Sequence, residues 1–175
     1  LPVAEKKDSQ EICFIPDNDY KTCLNKVLPP SAFRKGKVFH ADGSYLGEHT
    51  GIQNYTIGQR KGLGIALGKP AYVVALDAKK NSVILGDSEH LMHNQLTASQ
   101  NNYFIELPLE TPIAVDAKIR YRAQAAPAEL LCHSDGTATV TFKESQRAIT
   151  PGQCAAYYKG DALIGGGIIE TAQNV

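Results

Sequence analysis

The chain has 175 residues, 43% of them hydrophobic, with 18 basic side chains against 18 acidic ones. That length holds one ordinary domain or two small ones, and that apolar content excludes global disorder. A net charge of zero excludes a globally basic nucleic-acid binder, so any RNA site has to be a local patch.

Asp17 to Leu28 is predicted helical, because Tyr20, Cys23, Leu24, Val27 and Leu28 form an apolar stripe at helical period. Asp17, Asn18 and Asp19 supply capping oxygens at its start. Pro29-Pro30 stops it, since neither nitrogen can donate a hydrogen bond. Beyond the prolines the chain reads as short strands. Lys37–His40 and Ser44–Leu46 flank Asp42-Gly43, a type I′ hairpin signal. Ala71–Leu76 and Ser82–Leu85 form a second predicted hairpin. Ile113 to Arg122 alternates: Ile113, Val115, Ala117, Ile119 and Tyr121 share one face, and Asp116, Lys118, Arg120 and Arg122 the other. Ala128–His133 and Thr137–Phe142 flank Ser134-Asp135-Gly136, and Cys154–Tyr158 and Ala162–Glu170 flank Gly160-Asp161. Polar, His-rich Asp87–Gln95 is the expected junction between two units. The expected fold is mainly β: a short N-terminal helix followed by two small β domains, the second a β-barrel. The boundaries are 1–16 for a leading segment, 17–90 for a central domain and 91–175 for the barrel.

No apolar run approaches the roughly 20 residues that span a bilayer. Leu1–Lys7 is too short and too charged for a signal peptide, and a first residue other than Met points to a piece of a longer protein. Cys13, Cys23, Cys132 and Cys154 are widely spaced, with no CxxC pair to support a zinc ribbon or redox motif. A chain of this length needs no disulfide staples, so reduced thiols and a cytoplasmic location are expected.

The string Gly62-Leu63-Gly64-Ile65-Ala66-Leu67-Gly68 tempts a dinucleotide reading, but its spacing is GxGxxxG and a strand comes after it rather than a helix. His90 and His93, like Cys132-His133, lack the closely spaced partners of a structural metal site, so no metal is expected. On composition alone Cys13, between Ile12 and Phe14, is more often a small core residue than a nucleophile. A chemical role needs an accessible thiolate with a pKa below the free value of about 8.5. Cys23 falls on the helix's apolar stripe and reads as packing, and Cys132 and Cys154 read as strand residues. Lys118, Arg120 and Arg122 on one strand face repel unless they meet solvent or an anion. A solvated face is the commoner case, and phosphate is the rival because arginine forks suit its oxygens. Gln59-Arg60-Lys61-Gly62 is a second basic loop.

Taken in order, these strings resemble one family. Asp8–Pro16 (DSQEICFIP), Asn54–Gly64 (NYTIGQRKGLG), Lys118–Arg122 (KIRYR), Ala148–Gln153 (AITPGQ) and the closing Gly165-Gly166-Gly167-Ile168-Ile169 are similar to those of tRNA-specific 2-thiouridylases. The resemblance covers essentially the whole chain, and DSQEICF is its most specific string.

Members of that family replace the 2-oxygen of the wobble uridine in tRNA anticodons with sulfur. The resemblance implies a cysteine persulfide on Cys13, so that 1–16 becomes an inter-domain segment carrying it. The persulfide's terminal sulfur attacks a base whose 2-oxygen has been adenylated. A second cysteine of the family then releases the thiolated base and forms a disulfide with Cys13. The family's ATP and magnesium site, with its SGGxDS loop, and that second cysteine have no counterpart in these residues. The 175 residues alone are therefore expected to be inactive and to hold no cofactor. Arg120, Tyr121 and Gln153 match family tRNA contacts, with Lys118 and Arg122 beside them. Gln59, Arg60 and Lys61 are expected in a domain-interface or RNA-facing loop. The implied partners are tRNA and a sulfur-donor protein, either a persulfide relay or a cysteine desulfurase, with no membrane, and the chain is expected to be a monomer. The alternative is a non-catalytic RNA- or protein-binding β module of a translation-related protein.

Overall fold

Short strands bounded by Gly and Asp turns assemble into an open sheet and a closed barrel in the computed structural model, which describes residues 20–30, 33–65, 68–121 and 123–175. Helix α1 spans Tyr20–Val27, and the Leu28 N–H bonds to the Leu24 carbonyl at 2.8 Å just before Pro29. The expected caps at 17–19 lie outside the described residues. Among the described side chains of the α1 stripe none joins either core: Val27 is 73% exposed, and Cys23, expected to pack, is only partly buried.

Strands β1 (Gly36–His40), β2 (Tyr45–His49), β3 (Tyr72–Asp77) and β4 (Ser82–Gly86) form the open sheet in the order β2-β1-β4-β3. β1 and β4 run parallel, and the other pairs are antiparallel hairpins. The Asp42-Gly43 turn is not type I′, which needs positive φ at both central residues. Gly43 alone has positive φ, at 88°, and its N–H returns to the His40 carbonyl at 2.8 Å. A type I turn followed by a left-handed glycine results, and the register slips between Val38 and Phe39. Gly136, with φ 85°, ends the Ser134–Gly136 turn in the same way. The sheet buries Val38, Val73, Val83 and Leu85 under Leu63 and Ala71 of the long β2–β3 connection.

Strands β5 (Met92–Tyr103), β6 (Ile113–Lys118), β7 (Ala126–Cys132), β8 (Ala138–Arg147), β9 (Cys154–Lys159) and β10 (Ala162–Gln173) close a barrel in the order β10-β5-β8-β7-β6-β9. A barrel of so few strands has a narrow interior, so inward positions alternate small and large side chains. Ala98, Ala117, Ala128 and Ala155 sit beside Leu96, Leu130, Tyr157 and Ile169. The glycine run of β10 marks its closest approaches. A Cβ on Gly165 would lie 2.7 Å from the Asn102 carbonyl oxygen, and one on Gly166 would lie 2.6 Å from that of Ala155.

The segment expected as a junction, Asp87–Gln95, holds the 3-10 turn Ser88–Leu91 between sheet and barrel and the first residues of β5, which begins at Met92. Its twelve residues, MHNQLTASQNNY, fully bury only Leu96 and Ala98, so the polar outer face hid a strand. The strand expected over Ile113–Arg122 stops at Lys118. Ile119 still enters the core, but the Ala123 N–H bonds to the Arg120 carbonyl at 3.1 Å and the chain turns there.

Candidate nucleic-acid interface

β6 delivers Lys118 to the rim of the barrel, and the turn after it carries Arg120 and Tyr121, both exposed. Buried Ile119 anchors that turn. The Lys118 ammonium lies 5.8 Å from the centre of the Tyr121 ring, a cation–π contact that aligns the two side chains. Tyr121 is 65% exposed. The alternation had placed it inward with Ile119, but the early end of β6 turns it out. Arg122 and Cys13 lie outside the described residues.

Arg120 does not simply project into solvent. Its Nη2 donates to the Arg147 carbonyl at 2.7 Å and also to the Ala148 carbonyl. Ala148 is a junction in itself. It holds a left-handed φ of 54°, and its N–H bonds at 2.7 Å to the Leu91 carbonyl, at the end of the 3-10 turn Ser88–Leu91 that links sheet to barrel. The Thr150 hydroxyl donates to the same Ala148 carbonyl at 2.9 Å. A Cβ on Gly58, in the sheet's long loop, would come within 3.2 Å of that of Ala148. Beside it, the Arg147 guanidinium sits 4.8 Å from the centre of the Tyr72 ring on β3. Arg147, Ala148 and Tyr72 were missed from the sequence, because their roles depend on elements far apart in the chain.

Gln153 lies in the same turn. Its N–H bonds to the Thr150 carbonyl at 3.2 Å and its carbonyl accepts the Ile169 N–H at 2.8 Å, leaving the residue exposed at the barrel rim. Arg120 and Gln153 thus flank one short segment, 147–153, from its two ends. The basic loop behaves differently from residue to residue. The Gln59 side chain is engaged internally: Oε1 accepts the Thr56 N–H at 3.0 Å and Nε2 donates to the Lys61 carbonyl at 2.9 Å. Its backbone pairs with Val73 of β3. Arg60 and Lys61 are exposed.

Among the described residues, no group of three or more His, Cys, Asp or Glu is placed to hold a metal ion. His90 meets His40 edge-on at 6.4 Å between ring centres. The described cysteines are unpaired: Cys132 is buried, Cys23 partly so, and Cys154 exposed. No helix among the described residues is long and apolar enough to cross a membrane.

Comparison with known proteins bears on this arrangement. A family profile described as a tRNA methyl transferase PRC-barrel domain matches residues 21–87. A second, described as an aminomethyltransferase beta-barrel domain, matches residues 93–169. A tRNA-specific 2-thiouridylase, MnmA 1, of Clostridium botulinum is 51% identical over 170 residues, covering 97% of this chain and 48% of that protein. The tRNA-specific 2-thiouridylase MnmA of Clostridium acetobutylicum is 48% identical over the same length and coverage. That of Heliobacterium modesticaldum is 47% identical, with 44% of its length covered. The chain spans about half the length of the curated relatives it matches. Both domain profiles and these relatives agree, and the chain belongs to the tRNA-specific 2-thiouridylase family, corresponding to its central and C-terminal domains.

Proposed function

We propose that this chain holds tRNA and carries sulfur within an enzyme that thiolates the 2-position of the wobble uridine in tRNA anticodons. The observation that supports this most directly is the 51% identity to a 2-thiouridylase over 97% of the chain. On this reading Cys13, within DSQEICF, bears the sulfur as a persulfide. A persulfide anion is a strong sulfur nucleophile, and a cysteine is the residue that can hold one. Tyr121, Lys118, Arg122, Gln153 and the remaining N–H donors of Arg120 contact the tRNA. A guanidinium has five such donors, so two carbonyls do not exhaust it. ATP with magnesium would make the uridine 2-oxygen a leaving group. These residues do not fit that nucleotide: the Gly62–Gly68 string leads into β3 rather than a helix N-terminus, so no step runs through it here. A persulfide relay protein or cysteine desulfurase supplies the sulfur, and the protein acts as a cytoplasmic monomer.

The test uses the whole enzyme. Cys13→Ser is expected to abolish 2-thiouridine, measured by mass spectrometry of digested tRNA, while tRNA affinity stays unchanged. A serine oxygen cannot carry a sulfane sulfur, and its size barely alters packing. Thiolation near the unaltered level would move the persulfide to another cysteine and end this assignment.

A further inference from the structure

The glycine string that fails as a dinucleotide motif builds another kind of anion site. Leu63 pegs the loop: its side chain is 7% exposed in the sheet's core, and its carbonyl accepts the Tyr55 hydroxyl at 3.3 Å. The Gln59 amide holds the Lys61 carbonyl at 2.9 Å. Two carbonyls of the loop are therefore engaged, whereas the N–H groups of Lys61, Gly62, Leu63 and Gly64 meet no acceptor among the described residues. Gly62 and Gly64 hold φ of 71° and 73°, with Leu63 outside the positive region between them. Alternating φ signs over a short run turn successive N–H groups toward one side, the geometry of backbone nests that bind anions.

This loop walls a hollow of about 480 Å³ together with Arg60, Lys69 and Ala71. Lys69 is committed in part, because its ammonium bonds to Asp87 at 3.0 Å and holds that carboxyl below its usual range. Arg60 makes no ion pair or hydrogen bond among the described residues. Among the described residues no aromatic side chain lines the hollow, so they offer donors and charge rather than a stacking surface for a base. Ala71 on its wall adjoins Tyr72, the ring under Arg147, whose carbonyl Arg120 holds.

We propose that this hollow binds a backbone phosphate of tRNA, with Arg60 and the Gly62–Gly64 amides as its donors and Lys69 as a flanking cation. The proposal rests on the reading that the chain holds tRNA. Two measurements on the 175-residue chain test it. In the first, inorganic phosphate is titrated into isotope-labelled protein. The Gly62, Leu63 and Gly64 amide signals should shift saturably, and Arg60→Gln should weaken that response. In the second, tRNA affinity is measured against salt for both proteins. Arg60→Gln should flatten the slope of log K on log[KCl] by about 0.7–0.9, the loss of one phosphate contact. Unmoved amides, or an unchanged slope, overturn the inference. If Tyr121→Ala weakens tRNA binding while Arg60→Gln leaves the slope alone, the tRNA reading survives and only the hollow's role is lost. If the unaltered chain binds no tRNA at all, that reading fails and the hollow loses its proposed ligand, even where phosphate shifts the amides.

Discussion

Arg120 shows how much a single residue's setting decides. As one of several cations on a strand face it was expected to lie outward, toward solvent or a phosphate. Instead its Nη2 ties together two carbonyls, at Arg147 and Ala148, where sheet and barrel meet. Ala148 holds a left-handed φ of 54° without being glycine, which is a strained choice unless its neighbours fix it. Hydrogen bonds from a charged donor are worth about 1.5–3 kcal/mol when buried and less when exposed, so Arg120→Ala should cost about 1–2 kcal/mol. For a chain of this size that lowers Tm by roughly 2–8 °C. Hydrogen exchange at the Ala148 amide should also quicken, since its bond to Leu91 depends on the same turn. Arg120→Lys should recover part of the stability, because an ammonium nitrogen can donate to these carbonyls as Nη2 does but sits on a shorter side chain. A calorimetric scan in which Arg120→Ala melts with the unaltered chain would return the residue to the solvated face. The charge of Arg120 was legible in the sequence. Its acceptors were not, because they are backbone carbonyls 27 and 28 residues away and carry no sequence signature.

At the level of elements, hairpins with a marked apolar face were readable and β5 was not. Period-two alternation reports a strand only when one face is buried continuously, and β5 buries two residues of twelve. β10 was placed correctly from Ala162 onward, yet the reason for its three glycines appears only with β5 and β9 on either side. Gly166→Ala would bring a methyl to within 2.6 Å of the Ala155 carbonyl oxygen, which is backbone and cannot swing aside. Overpacking of this kind costs about 1–3 kcal/mol, and prying β10 from β9 puts this case toward the upper end. Gly136→Ala is the comparison, with a positive φ of 85° but nothing within 4 Å of its Cβ. Its strain alone should cost about 1 kcal/mol. Urea denaturation of the two variants distinguishes a steric from a conformational demand for glycine. Equal midpoints would show that strand crowding is not what selects the β10 run.

Across the whole molecule the charge balance of 18 against 18 means that no global field draws a polyanion in. On the reading that the chain holds tRNA, its affinity has to come from a few local contacts, which sets a number that can be checked. If Arg60, Lys118, Arg120 and Arg122 each meet a phosphate as proposed, counterion release at about 0.7–0.9 per contact makes log K fall with log[KCl] with a slope of about −3 to −4. Tyr121 adds a different kind of term. An exposed aromatic ring, aligned by Lys118 at 5.8 Å, offers a face on which an unstacked base can lie. Such stacking is worth about 1–3 kcal/mol per base and barely depends on salt. Tyr121→Ala should therefore weaken tRNA binding by roughly five- to 150-fold at every salt concentration, with the slope unchanged. Tyr121→Phe should bind almost as the unaltered chain does, because the ring rather than the hydroxyl carries the contact. A measured slope near about −6 would show that cations beyond these four reach the phosphates. A Tyr121→Ala variant that changes the slope but not the high-salt affinity would mean that Tyr121 serves mainly to position Lys118, and that the turn after β6 reads backbone charge rather than a base.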